Sequence, residues 1–221
     1  MRQAKDNLLR AMLWGSAFVS VAVLLTIVGY LFYKGFSYIS FDFIFGDYSP
    51  VGGGGIFPMI ITTIYTIIIS LLIATPIGIL AAVYLQEYAK QGRLVRIIRY
   101  ATESLTGIPS IIYGLFGAVF FVAILKLGMS IIAASLTLTI IVLPVIIRTT
   151  EEALKTVPAS YREGSLALGT TKLQTLYKVI LPSAMPGILS GIILSIGRIV
   201  GESAAIFLTA GTVAAMPESI F

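Results

Sequence analysis

Two ionisable residues stand inside an apolar stretch near the end of the 221-residue chain: Arg198 and, four positions on, Glu202. Read as one continuous helix from about Ser183 to Ala210, this stretch carries Arg198 roughly 20 Å along its axis at ~1.5 Å per residue. It also puts Glu202 one turn further on the same face. Charges at such depth cost at least ~2.5–3.5 kcal/mol each on insertion scales, so they meet a partner or a wet cavity. Two chemistries fit the spacing. One is a self-contained Arg–Glu pair that locks a helix bundle. The other is an anion pathway in which the planar fork of Arg198 meets oxyanion oxygens and Glu202 orients the group.

Little other chemistry is available. The sequence has no cysteine and no histidine. That removes thiol nucleophiles, disulfides, Fe–S clusters, His-containing metal sites and the Ser/His/Asp triad. No glycine is followed by lysine, so the phosphate-cradling GxxxxGK[ST] loop is missing and any ATP that drives this protein binds another chain. Glu202 is the only deep carboxylate, which argues against an intramembrane diaspartyl enzyme. The expectation is a chain with no catalytic residues, cofactor or metal of its own. The glycine run Gly52–Gly55 could form an anion-binding nest, but no helix-start phosphate pattern accompanies it and an external linker is expected. Ser70, Thr75, Ser104 and Thr106 could line a route. Bonding to helix carbonyls is the expected use of their hydroxyls.

The elements that position these residues are membrane spans. The chain is 57% hydrophobic and 11% charged, with a mean hydropathy of +0.99. Soluble domains carry about 25% charged residues, and a bilayer is crossed by roughly 20 apolar residues of helix. An all-helical bundle with five spans is expected: about 11–33, 58–85, 106–127, 129–147 and 183–210. The first is too long for a signal-peptide core and no small-residue cleavage site follows it, so it is read as a retained anchor. The expected organisation is a segment 1–33 holding the N-terminus and first span, an external loop 34–57, and a core 58–221. Pro58 suits the first turn of the second span, and Pro76 and Gly78 can bend that span. Basic residues number three before the first span, four in 86–105 and five in 148–182, while Lys34 and Lys126 alone mark the opposite loops. The net charge of +5 is thereby a topology signal placing the N-terminus in the cytoplasm, not a sign of nucleic acid. Five spans then leave the C-terminus outside.

The segment Val157 to Pro182 is the most patterned. Ser160 and Glu163 have capping-box spacing, as do Thr171 and Gln174. Gly169 suits the left-handed residue that ends a helix. Leu173, Leu176, Tyr177 and Ile180 follow at helical intervals. A helix–Gly–helix on the cytoplasmic side is expected, and periodicity alone reads it as a hairpin packed on its own bundle. On the last span, Gly187, Gly191 and Ser195 recur every four residues, and so do Gly197, Gly201 and Ala205. Small residues at this spacing allow close helix contacts, within the chain or with a second subunit.

Glu163, Gly164, Ser165, Gly169, Val179, Leu181 and Pro182 match in spacing the EAA-x3-G-x9-I-x-L-P motif of ABC importer permeases, with Gly164 and Ser165 in place of the two alanines. The stretches Gly107–Gly117 (GIPSIIYGLFG) and Gly197–Gly211 (GRIVGESAAIFLTAG) resemble phosphate-specific permeases, and AAIFLTAG is closer to their A-type, PstA, than to their C-type subunit. From about residue 50 onward the chain resembles that family. The resemblance implies that the matched segment is the coupling helix docking on an ATPase subunit, and that Arg198 and Glu202 belong to a phosphate pathway. The implied partners are a C-type permease as heterodimer, an ATPase dimer, a periplasmic or extracellular phosphate-binding protein, and lipid. The implied location is a bacterial or archaeal plasma membrane. It also implies a sixth span, so the core is expected to be truncated before its last helix. A permease for sulfate or molybdate, or a membrane scaffold, is the alternative.

Overall fold

The computed structural model describes residues 2–49, 54–212 and 216–217, and every regular element among them is helical. Contacts divide the chain into two units, Met1–Phe57 and Pro58–Phe221.

In the first unit, α1 (Arg2–Gly35) is one uninterrupted helix. Its membrane-length window has a mean hydropathy of 2.2 and no buried residue. Trp14, Phe18 and Leu25 all point outward, a surface suited to hydrocarbon. The stretch expected to be only a loop contains a short helix, α2 (Phe41–Phe45), started by Ser40, whose Oγ accepts from the Phe43 N–H at 3.1 Å. Gly52 and Gly53 lie outside the described residues. The Gly55 N–H donates to Asp47 O at 2.8 Å and so is already spent on the chain itself.

The second unit starts with α3 (Phe57–Val83), with Pro58 in its first turn as expected, widening into a π-helical turn at Tyr84–Tyr88. The segment 86–105, expected to be a polar loop, folds largely into α4 (Arg93–Thr106). A break at Gly107–Pro109 follows, because proline disfavours helix at the residue before it. Then come α5 (Ser110–Gly117) and a π-helical continuation Ala118–Ile124, running at 96° to α4. Lys126 (φ 55°) and Gly128 (φ 66°) turn the chain in left-handed conformations, and Ser130 caps α6 by accepting from the Ala133 N–H at 3.2 Å. α6 (Ile131–Thr156) continues well past Ile147, where the apolar run ends. α7 (Ala159–Ala167) and α8 (Lys172–Thr175) form the helix–Gly–helix, a π-helical turn at Leu176–Ile180 leads into α9 (Leu181–Val200), and α10 (Ala204–Thr209) closes the described core.

Among the described residues, four helices are long and apolar enough to cross a membrane, and the α4–α5 pair gives a fifth if it counts as one crossing. The last span is corrected. It is not one helix to Ala210 but breaks at Gly201–Ser203.

α6 is the post around which the second unit is built. Its membrane-length window is 61% buried, against 33% for α3 and 28% for the helix containing α9. Leu138, Ile141, Val142 and Ile146 of α6 join Ala74 of α3, Tyr113 of α5, Ile199 of α9 and Ala205 of α10 in one core. Leu154 and Val157 join Leu176, Ile180, Ala184 and Ile188 in a second. Close approach depends on missing side chains. A Cβ on Gly78 would sit 2.6 Å from Ile146 Cγ2, one on Gly187 2.6 Å from Ala153 Cβ, and one on Gly191 2.8 Å from Thr149 Cβ. Two hydrogen bonds cross the α3–α6 seam: Ser70 Oγ donates to Ser135 O at 3.0 Å and Thr139 Oγ1 to Ser70 O at 3.3 Å, while the buried Ser135 hydroxyl has no partner among the described residues. Ser104 and Thr106 bond to carbonyls of their own helix.

Two substitutions separate packing from helix propensity. Alanine is the better helix former by about 0.8–1.0 kcal/mol, and no atom lies within 4 Å of a Cβ on Gly197. Gly197→Ala is therefore expected to leave the unfolding temperature in detergent unchanged or raised. Gly191→Ala drives into Thr149 and is expected to lower it, with overpacking costing about 1–3 kcal/mol. Equal effects would show that the α6–α9 seam is not tight.

Candidate functional site

The charged residues at the end of α9 owe their arrangement to the helix break. Gly201 closes α9, its N–H donating to Gly197 O at 3.1 Å, and the Glu202 N–H donates to Ile199 O at 3.1 Å. Arg198 is therefore in the last turn of α9, beside carbonyls whose partial charge favours a cation. Glu202 lies beyond the helix, and its Oε1 faces the Ala205 N–H at 3.4 Å, at the amide end of α10. Each half-buried charge is complemented by a helix end of opposite sign. The expected i,i+4 pairing on one continuous helix is thus corrected: among the described residues no ion pair within 4 Å joins Arg198 to Glu202. The Arg198 guanidinium makes no hydrogen bond to any described residue.

The two stretches GIPSIIYGLFG and GRIVGESAAIFLTAG meet in space. A Cβ on Gly114 would lie 2.9 Å from Ala205 Cα, and one on Gly117 would lie 2.9 Å from both Thr137 Cγ2 and Thr209 Cγ2. Tyr113, buried on α5, donates its hydroxyl to Leu105 O at 2.8 Å. One turn before Arg198 along α9, Leu194 borders a groove of about 450 Å³ between α9 and α6, lined also by Arg148, Thr149, Glu152, Gly187 and Ser190. Gly187, Gly191 and Ser195 lie along this seam. Among the described residues, Gly197 and Gly201 meet no neighbouring helix within 4 Å.

At the other end of α9, Gly169 takes φ +81° to end α7. The Thr171–Gln174 capping box is complete in both directions, at 3.2 and 3.0 Å. The Ser160–Glu163 box does not form. Pro158 precedes α7, with no side-chain cap, so Ser160 and Glu163 lie inside the helix. Glu163 and Gly164 are exposed, and Gly164 has nothing within 4 Å of its Cβ position. Ser165 is bound inward: its Oγ lies 2.8 Å from Thr170 Oγ1 and 3.0 Å from Thr175 Oγ1, which ties α7 to α8. Leu181 and Pro182 open α9.

Two ionic clamps, one on α7 and one on α4, fasten these helices to the bundle, and sequence reasoning misses both. Arg162 of α7 donates from Nη2 to Glu87 Oε1 at 2.6 Å, and also to the carbonyls of Val157 at 2.9 Å and Leu154 at 3.0 Å. Arg99 of α4 donates from Nε to Glu151 Oε1 at 2.9 Å, and further to Gln91, Gln86 and Leu85 O. A signal existed for Glu151: the spacing Ile146, Thr150, Leu154, Val157 continues the apolar face of α6 past the first charges.

Residues 74–220 match the model of the family described as binding-protein-dependent transport system inner membrane component. The chain is 38% identical over 211 residues to the probable ABC transporter permease protein YqgI of Bacillus subtilis, covering 95% of this chain and 72% of that protein. It is 33% identical to the phosphate transport system permease protein PstA of Mycobacterium leprae (95% and 70% covered) and 40% identical to PstA 1 of Mycobacterium tuberculosis (72% and 52%). The chain thus spans about half the length of the last. In fold it is similar to a chain of the MetNI methionine ABC transporter in an inward-facing conformation, with TM-score 0.58, 27% identity, and 71% of this chain and 73% of that chain covered.

The Arg162 clamp makes a prediction. Hydrogen bonds to charged groups contribute about 1.5–3 kcal/mol, so Glu87→Gln is expected to raise amide hydrogen exchange across Ala159–Ala167. Glu163→Gln, at an exposed residue, is expected to leave it unchanged. Identical protection in both variants would show that α7 is held by something other than this pair.

Proposed function

The chain belongs to the binding-protein-dependent transport system inner membrane component family, and from that premise we propose that it is a permease subunit of an ATP-driven importer carrying inorganic phosphate. The observation that carries the reading is Arg198, a half-buried guanidinium at a helix break with no hydrogen bond or ion pair among the described residues. A buried charge without a partner is costly unless water or a ligand meets it. A planar fork of donors suits a phosphate oxygen pair and a spherical ammonium does not. The names of its relatives in Mycobacterium support the same substrate.

The chain's own residues then divide the work. Arg198 lowers the barrier to an anion entering the low-dielectric interior. Glu202, held at α10 and not on Arg198, leaves the fork open and bounds how tightly an anion is kept. The exposed side of α7 is the docking surface for a separate ATPase subunit: Tyr161, Glu163, Gly164 and Leu168 face outward there, while Arg162 and Ser165 point back to hold the helix rigid. The N-terminus and α7 are cytoplasmic, a C-type permease completes the pathway, and an external binding protein delivers the phosphate.

The test is uptake of labelled phosphate by the assembled transporter in vesicles. Arg198→Gln is expected to cut uptake by roughly 10–150-fold, the worth of a charged hydrogen bond at about 1.5–3 kcal/mol, while insertion and assembly are retained. Arg198→Lys restores little, because it keeps the charge and loses the fork. Full uptake by Arg198→Gln would remove Arg198 from the pathway, and uptake of sulfate at the same rate as phosphate would overturn the substrate.

A further inference from the structure

We infer that α4 is an interfacial helix that binds anionic lipid, with its apolar face in the acyl boundary and Arg93 and Arg96 on headgroup phosphates. An amphipathic helix on a water-soluble bundle turns its apolar stripe to the core and its charges to solvent. α4 turns only Val95 fully inward, and beside it Arg99 pairs with Glu151 of α6 at 2.9 Å, while the Glu103–Arg148 pair at 2.8 Å lies on an exposed flank. A second, exposed sector is apolar: Leu94 is 71% exposed and Ile97 62%, with Ile98, Ala101 and Leu105 beside them.

Three observations commit this face to lipid. First, α4 lies at 96° to the α5 segment. If α5 runs across the bilayer, α4 runs along its surface. Second, α5 also carries exposed apolar side chains, Ile111, Ile112 and Leu115, just past the bend. Third, around the helix the order is bundle-facing Val95 and Arg99, then Glu103, Arg96, Tyr100 and Arg93, then the apolar sector. Arg93 and Arg96 are exposed and bond to no described residue, and Tyr100 between them is 73% exposed. Arginines bordering an apolar face, with a tyrosine at the boundary, match the charge and polarity gradient of a headgroup layer. A juxtamembrane arginine gains about fivefold in affinity from an anionic surface.

The test uses the assembled transporter in lipid nanodiscs. The chain has no cysteine, so Ile97→Cys, with cysteine-free partners, takes a single bimane fluorophore. Spin-labelled phosphatidylglycerol and spin-labelled phosphatidylcholine are added at equal mole fraction. Both are expected to quench, with phosphatidylglycerol at least about threefold more effective. That preference is expected to shrink in Arg93→Gln and in Arg96→Gln and to vanish in the double variant, while quenching by phosphatidylcholine stays. No quenching by either lipid would show the face to be covered by a protein partner or bathed in water, and would overturn the inference. Equal quenching by the two lipids with both arginines present would overturn the headgroup assignment.

Discussion

The second unit depends on burying most of α6 among its neighbours. A helix surrounded by other helices can present few large side chains at its contacts, and the neighbours of α6 supply the room through Gly78, Gly117, Gly187 and Gly191. In hydrocarbon there is no solvent-driven gain from bringing two apolar helices together, so close packing and cross-helix hydrogen bonds must provide it. The α3–α6 seam has both, in Gly78 against Ile146 and in the bonds from the Ser70 and Thr139 hydroxyls to backbone carbonyls of the facing helix. Where α6 continues beyond its apolar run, ionic contacts take over from packing. Arg148 and Glu151 hold α4, and the carbonyls of Leu154 and Val157 anchor Arg162 of α7.

This arrangement connects two sites at opposite ends of α9. At one end α7 and α8 are fastened by three hydroxyls, a capping box, a left-handed glycine and an arginine clamp. At the other end stands Arg198. Between them α9 approaches α6 closely at Gly187 and Gly191, where an added Cβ would meet Ala153 and Thr149. The proposed coupling therefore needs no chain of small adjustments: a force on α7 moves α9, α6 and Arg198 together. The helix break at Gly201–Ser203 sits just past Arg198 and is where such a body would hinge against α10.

Much of this was legible in the sequence where the cause is local. Pro58 at a helix start, Gly169 at a helix end and the Thr171–Gln174 box depend on neighbouring residues alone, and each forms as read. The membrane character follows from composition, and the permease family from spaced residues whose positions survive substitution at Gly164 and Ser165. What failed depended on distant partners. Ser160 and Glu163 have the right spacing for a cap, but Pro158 starts α7 earlier and leaves them inside it. The charges after Ile147 suggest a helix end there, yet Glu151 is paired with an arginine 52 residues away in sequence. The arginines of α4 hide an amphipathic stripe and make it read as a loop. No proline separates Arg198 from Glu202, so the sequence reads as one helix, yet α9 ends at Gly201 and Ala205 and Thr209 of α10 pack on α5.

If α7, α9 and α6 move as one body carrying Arg198, the distance between spin labels at Leu168→Cys and Val200→Cys, both exposed, reads it directly in the assembled transporter with and without ATP. A rigid body gives a distance distribution that shifts by no more than about 2 Å, the scale of small helix adjustments, while distances from Val200 to the partner permease change. A larger shift between Leu168 and Val200 would show that α7 moves independently of Arg198, and would contradict it.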